Sequence, residues 1–353
     1  MPVESATTEL SLPGLEVTPT ASESKPNHWI ERGPQKRLMV FSGRSHPDLA
    51  LRIAEHLGVE LGDVELKTFE NDETYVRYCE SIRGADVFIV QTGAYPVDRN
   101  LMELLLMIQA AKLASAKRIT AVVPWFPYSR QDRKAKPREP ISARLVADTL
   151  ELAGADRVLT MDLHAGQIQG FFTVPVDHMT ALPLFGRHFR DLGFTGDGVV
   201  SVAPDAGRAK VALRFAEMLD AEFAVMHKTR LAHEAVAVTE ITGRVRDKIA
   251  IVGDDVTTTG STLIAGAKAL KEHGAKEVWI FVTHAQLTPD GLEALGKADV
   301  AGIVVTDTVP TDPLKRPQNM TVLPVAGLLA ETIMNVFADD SVSAIFGGDT
   351  QLF

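Results

Sequence analysis

Residues 249–262 read IAIVGDDVTTTGST, and this stretch decides the fold. Ile249, Ala250, Ile251 and Val252 form an unbroken apolar run, the pattern of a central parallel strand covered on both faces. The pattern predicts that the strand stops there and that Asp254 and Asp255 stand at its carboxyl end, where open α/β sheets bind ligands. Thr257, Thr258, Thr259, Gly260, Ser261 and Thr262 then offer hydroxyls and backbone N–H groups ahead of an apolar helix. Such a turn holds phosphate through amide donors and the helix dipole, with no lysine required. Paired carboxylates beside an anion cradle suit a sugar phosphate: the acids take ribose hydroxyls and the turn takes the 5-phosphate. The plainer alternative is an acidic strand end followed by an ordinary helix cap. Adjacent acids repel and need a partner, which favours the ligand reading.

The same alternation extends in both directions. Leu38–Phe41, Val87–Gln91, Ile119–Val123 and Val158–Met161 read as strands, with helices at Pro47–Leu57, Asn100–Ala114 and Ile141–Ala153. Asp63–Thr68 and Thr74–Cys79, separated by Asn71-Asp72, read as an antiparallel hairpin. The pattern restarts with strands at Val199–Ala203, Phe223–His227, Ile249–Val252, Val278–Val282 and Ile303–Thr306. Helices are expected at Ala206–Leu219, Ser261–Glu272 and Val325–Phe337. This order predicts an α/β protein of two doubly wound parallel-sheet domains, 37–180 and 181–353, with the last helix returning to the first. Residues 1–36, rich in Ser, Thr, Pro and Glu without a sustained period, read as a mobile extension. Helix Asn100–Ala114 is apolar nearly all round, which implies either a subunit interface or a helix sandwiched within its domain.

Composition narrows the function classes. The 353 residues carry a formal net charge of −10, which argues against nonspecific binding to nucleic acid or to an anionic membrane. Cys79 is the sole cysteine, so an intrachain disulfide and a zinc–thiolate cluster are both excluded. No uncharged apolar run reaches the roughly 18–20 residues of a membrane span. The N-terminal segment has no basic start followed by an apolar stretch. A cytoplasmic location is expected.

Several further constellations could carry chemistry. Arg130, Arg133, Lys134, Lys136 and Arg138 crowd one segment behind strand Ile119–Val123, and so dense a set of cations attracts a polyphosphate; most basic runs are merely solvated loops. His227-Lys228-Thr229-Arg230 leaves strand Phe223–His227 for a stretch of little regular pattern, where Lys228 and Arg230 could close over a phosphoryl group. Asp162-Leu163-His164 follows strand Val158–Met161, and Asp205 follows Val199–Ala203. His164 and Asp205 could together hold magnesium, although Asp205 could equally cap the next helix. No Walker-A sequence, Gly-rich dinucleotide fingerprint or HExxH pair is present.

Taken together, YSRQDRK (128–134), EPISARLVADTL (139–150), TMDLHAGQIQGFF (160–172), APDAGR (203–208), HKTR (227–230) and GDDVTTTGST (253–262) resemble the ribose-phosphate pyrophosphokinase family, from about Arg37 onward. The resemblance implies a phosphoribosyltransferase-type fold and synthesis of phosphoribosyl pyrophosphate (PRPP) from ATP and ribose 5-phosphate, with Mg2+. It implies that Phe69, Asn71 and Glu73 of the FENDE flap hold adenine in a neighbouring subunit, and that Arg130 and Gln131 contact nucleotide. His164 falls at a position associated with ATP and magnesium, and Asp205 at another magnesium position. Lys228 and Arg230 match the catalytic flexible loop, and Asp254, Asp255, Thr258, Thr259, Gly260, Ser261 and Thr262 the ribose 5-phosphate loop. Hexamers built from dimers and regulation by ADP and phosphate are further implications. The chain departs from the usual DDMIDTGGT loop, with Thr258 for aspartate and Ser261 for glycine. It departs also from the usual F-S-D-G-E flap, with Asn71 for aspartate and Asp72 for glycine. A phosphoribosyltransferase that consumes PRPP, or a non-catalytic regulatory paralogue, are the competing expectations.

Overall fold

The structure is a computed structural model that describes residues 36–231 and 235–342, with only the backbone for those of residues 228–239. The N-terminal extension expected over 1–36 lies, apart from Lys36, outside the described residues, and from Lys36 onward the described residues form one compact unit.

The chain lays down β1 (Leu38–Ser42), α1 (Pro47–Leu57), the hairpin β2 (Val64–Thr68) and β3 (Thr74–Tyr78), β4 (Asp86–Val90) and α2 (Val97–Leu113). There follow β5 (Arg118–Val123), α3 (Ser142–Ala153), β6 (Arg157–Met161), β7 (Val176–Met179) and α4 (Leu182–Asp191). Next come β8 (Val199–Ala203), α5 (Ala209–Met218), β9 (Glu222–Leu231), β10 (Ala235–Thr242), β11 (Ile249–Thr257) and α6 (Ser261–Glu272). The last elements are β12 (Glu277–Ala285), α7 (Pro289–Gly296), β13 (Gly302–Thr306), β14 (Met320–Leu323) and α8 (Ala326–Ala338).

Among the described residues two large sheets and the separate two-stranded β2–β3 hairpin result, in line with the α/β class. The first runs β1-β4-β5-β6-β7 and is wholly parallel. The second runs β10-β9-β8-β11-β12-β13-β14, parallel except for the β9–β10 pair. In the first sheet strand order follows chain order. In the second it reverses between β8 and β11, which creates a crevice at their carboxyl ends.

The layers follow from sequence pattern. Strands such as DVFIV are buried at every position because helices cover both faces. One face of the first sheet (Val40, Phe88, Val122, Leu159) and one face of the second (Ile251, Phe281, Val304) share a single apolar core. Leu49 and Ile53 of α1, Phe185 and Phe189 of α4, and Leu329 and Ile333 of α8 fill the space between. Phe185 lies against Phe281 with ring centroids 4.7 Å apart, and α8 lies along α1. The outer face of the first sheet is closed by α2 and α3, and that of the second by α6 with Leu295 of α7. Helix α2 is sandwiched within the chain: the sheet lies on one side, and on the other the hairpin, whose Tyr78 hydroxyl donates to the Met107 carbonyl at 2.9 Å.

Two expectations are corrected. Strand β11 does not stop at Val252 but runs to Thr257, so Asp254 and Asp255 lie inside it. Its pairing with β8 ends at Val252 while pairing with β12 continues to Thr257, because one neighbour is shorter than the other. The acids therefore occupy the half-open edge of a strand that is still held straight. Likewise β9 does not end at His227. It continues through Lys228 and Arg230, opposite Val238 and Val236 of β10, in an antiparallel ribbon. The alternation AVAVTEIT over 235–242 supplies that partner strand.

Candidate active site

Asp254 and Asp255 start from the same chemistry and end in different electrostatic states. Gly253 precedes them because a Cβ there would come within 2.0 Å of the Phe281 ring, so only glycine lets β11 lie this close to the core. Asp255 is 2% exposed and binds two partners: Oδ2 meets His164 Nδ1 at 2.8 Å, and Oδ1 is ion-paired with the Arg208 guanidinium. Burial alone would raise its pKa. The hydrogen bond to His164 and the charge of Arg208 outweigh burial and hold the carboxyl well below the usual carboxylate range. Asp254 goes the other way: burial, and then the negative charge of Asp255, push its pKa well above the ordinary value. Arg208 Nε stands 3.4 Å from Asp254 Oδ1, which also accepts the Asp255 N–H at 2.9 Å. Burial works against charge on Arg208, but both aspartates more than compensate and raise its pKa. A small cavity of about 20 Å3 lies against these groups and is lined also by Asp162, Thr180 and Thr283. That is room for about one water.

The hydroxyl-rich turn closes the other side. Gly260 adopts φ 71°, a conformation that glycine takes without steric cost, and Ser261 opens α6. The Gly260 N–H donates to the Thr257 hydroxyl at 3.2 Å, and the Thr259 and Ser261 hydroxyls lie 2.9 Å apart. The first intrahelical bond of α6 runs from Ile264 N–H to the Gly260 carbonyl. N–H groups of the first turn therefore point out of the helix end, as an anion site needs. The basic segment reaches this turn: Arg130 Nη1 donates to the Thr258 hydroxyl at 3.3 Å.

Of the residues singled out from sequence, the structure joins His164, Asp254 and Asp255 through Arg208, and separately Arg130 with Thr258. His164 is 37% exposed on its side chain, open toward the crevice. Asp205 follows β8 and caps a short helical turn, its carboxylate accepting the Gly207 N–H at 3.0 Å. That turn also carries Arg208. Gln131 faces the start of α3 instead, accepting from the Ser142 hydroxyl at 2.7 Å. Phe69, Asn71 and Glu73 form the hairpin tip, closed by the Phe69 N–H to the Glu73 carbonyl at 2.8 Å. Phe69 is 52% exposed there. Among the described residues no hydrogen bond links this tip to the acid pair. Lys228 and Arg230 lie where β9 has passed the last β8 pair, Ala203 with Val225, so their backbone overhangs the carboxyl end of the sheet.

Sequence reasoning missed Arg208, although repulsion between two adjacent acids calls for such a cation. It also missed the scaffold behind His164. Asp162, at φ 37°, accepts both the Ala181 N–H at 3.0 Å and the Thr283 hydroxyl at 2.7 Å. His284, fully buried, ties Thr308 to the Met161 carbonyl, each at 2.9 Å. These bonds pin the end of β6 to the second sheet. No three His, Cys, Asp or Glu side chains cluster as a metal cage among the described residues. One carboxylate (Asp205) and one imidazole (His164) suit a cation that keeps most of its oxygen shell from water and phosphate.

Comparison with known proteins gives the family. Residues 38–154 match the N-terminal domain of ribose phosphate pyrophosphokinase, and residues 230–347 the phosphoribosyl synthetase-associated domain. The ribose-phosphate pyrophosphokinase of Corynebacterium efficiens is 46% identical over 326 residues, covering 91% of this chain and 99% of the relative. The chain belongs to the ribose-phosphate pyrophosphokinase family. Its counterpart from Caldanaerobacter subterraneus subsp. tengcongensis is 47% identical over 88% of this chain and 98% of its own. The crystal structure of phosphoribosylpyrophosphate synthetase from Mycobacterium smegmatis superposes with a TM-score of 0.80 at 44% identity, covering 86% of this chain and all of that one. Family membership thus spans both sheets and the crevice.

Proposed function

We propose that the chain transfers the β,γ-diphosphoryl group of ATP to the C1 hydroxyl of ribose 5-phosphate, giving PRPP and AMP. The observation that carries this reading is the crevice between β8 and β11, where an acid pair, a helix-end hydroxyl turn and Arg130 meet. In it, Thr258, Thr259, Gly260, Ser261 and Thr262 bind the 5-phosphate, and the Asp254–Asp255 pair orients the ribose hydroxyls. Arg130 and Gln131 hold the nucleotide, and His164 approaches its phosphates from the end of β6. Phe69, Asn71 and Glu73 grip adenine in a neighbouring subunit, which suits a hairpin tip that makes no bond to its own acid pair. Lys228 and Arg230 meet the charge that develops on the transferring group. In-line attack by the C1 oxygen on the β-phosphorus needs no covalent enzyme intermediate, so positioning and charge neutralisation supply the catalysis. Magnesium, carried on the phosphates and met by Asp205 and His164, would neutralise phosphate charge.

The same reading divides the labour between residues 37–180, for ATP, and 181–353, for the sugar. It also includes a homo-oligomer of the hexameric type, regulation by ADP and phosphate, and a cytoplasmic location. No helix among the described residues is long and apolar enough to cross a membrane. The test is AMP release from ATP with Mg2+, with and without ribose 5-phosphate. Sugar-dependent AMP and PRPP are expected. Turnover only from PRPP plus a free base, or nucleotide binding without AMP at saturating substrates, would overturn it.

A further inference from the structure

Asp255 has both oxygens engaged, Oδ2 by His164 and Oδ1 by Arg208, which makes Asp254 the less tightly held acceptor of the pair. Arg208 sits only 12% exposed on its side chain, with its Nε turned toward Asp254. Two ionised carboxylates at this spot would carry two negative charges in a largely desolvated crevice. That is the condition under which a site takes up a divalent cation or a proton. With the guanidinium beside them, the three groups carry at most one negative charge, and both acids face the same cation. A neutral diol fits such a receptor: one hydroxyl donates to a carboxylate oxygen while the next accepts from a guanidinium N–H. A divalent cation fits badly, because Arg208 repels it and has taken an oxygen it would need.

We propose that Arg208 is a specificity-determining residue of the sugar site, reserving the Asp254–Asp255 pair for vicinal hydroxyls and excluding a divalent cation from those oxygens. Asp255 then acts as the post that aims Arg208 and His164, and Asp254 as the acceptor that meets the sugar. The inference rests on the ribose 5-phosphate reading for the identity of the diol, but the exclusion of metal does not.

The experiment compares the full-length wild type with Arg208→Gln, Arg208→Lys and the double variant Arg208→Gln/Asp254→Asn. Mn2+ is counted by electron paramagnetic resonance without nucleotide, and ribose 5-phosphate affinity is measured by calorimetry. Circular dichroism checks that each variant is folded. Arg208→Gln is expected to bind one more Mn2+ per chain than wild type and to weaken ribose 5-phosphate at least tenfold. The double variant should lose the extra ion, and Arg208→Lys should keep the wild-type ion count while weakening the sugar by less. An unchanged Mn2+ count in folded Arg208→Gln would overturn the proposal, as would an extra ion that survives in the double variant. If Arg208→Gln does not fold, an extra Mn2+ in Arg208→Lys overturns it. Wild type that fails to bind ribose 5-phosphate would instead sink the functional reading, with the ion count still deciding the role of Arg208.

Discussion

The acid-bearing stretches of β6 and β11 look alike as sequence and do opposite work. Each is an apolar run leading to an acid, TMDLH in one and IVGDD in the other. Asp162 spends its carboxylate on a backbone N–H and the Thr283 hydroxyl, fastening one sheet to the other. Asp254 and Asp255 face a cation, Asp255 an imidazole as well, and both line the crevice. An acid at a strand end therefore says where a site could be, while its donors decide whether it becomes a rivet or a receptor.

This contrast can be broken most directly at Asp255. Asp255→Asn removes the charge opposite a buried guanidinium, and losing one member of a buried pair costs about 3–5 kcal/mol. Denaturant unfolding should show that loss, together with a fall in kcat/KM of at least about 100-fold as His164 and Arg208 lose their anchor; an unchanged midpoint would contradict it. Lys228→Ala addresses the overhang beside the same sheet end. Removing one preorganised donor costs about 10²–10³ in turnover, roughly 3–4 kcal/mol. A drop in kcat with little change in KM is expected, and an unaltered kcat would take Lys228 out of the chemistry.

The β6 side has its own pH signature through His178, which neighbours it on β7. Burial lowers its pKa to about 4, and its Nε2 accepts the Leu163 N–H at 2.9 Å. The folded protein keeps this ring neutral, whereas the unfolded chain protonates it near 6.5. Its stabilisation is therefore complete above pH 6.5 and is lost as pH falls toward 4, by up to about 3 kcal/mol. In His178→Gln the unfolding free energy should fall less between pH 7 and 4; an identical slope would refute the assignment. Smallest is Asp162 itself. Asp162→Ala leaves two donors unmet, for about 1–3 kcal/mol, while Asp162→Asn keeps an acceptor and should lose less than about 1 kcal/mol. Equal losses in the two variants would mean that its charge matters after all.

The longest apolar runs made the central strands readable, and Pro47–Leu57 and Ser261–Glu272 were found at their observed limits. What escaped was short or mixed. Strand β7 is four residues with Asp177 and His178 inside it, β14 is four residues at the sheet edge, and α7 is eight residues. Helix α4 carries Gly186 and two late cations among its apolar positions, which blurs its period. The acids, the threonine turn and the basic segment were all legible as motifs. The pairing of His164 with Asp255, 91 residues apart, was not, because it depends on two sheets meeting. Nor was the split between Asp254 and Asp255: neighbours in sequence, both reach Arg208, but only Asp255 also meets His164.

The apolar layer shared by the two sheets has a mechanical consequence. A hinge needs a seam with little buried surface, yet here Phe185, Phe189, Leu329 and Ile333 are wedged between both sheets without a break. The halves cannot swing open and shut around substrates like jaws, since each opening would wet that shared oil. Access and closure fall instead to what lies outside that layer: the tip of the β2–β3 hairpin and the part of the β9–β10 pair beyond Val225, the last residue of β9 paired with β8. The body is an anvil, and only its attachments can act as the hammer.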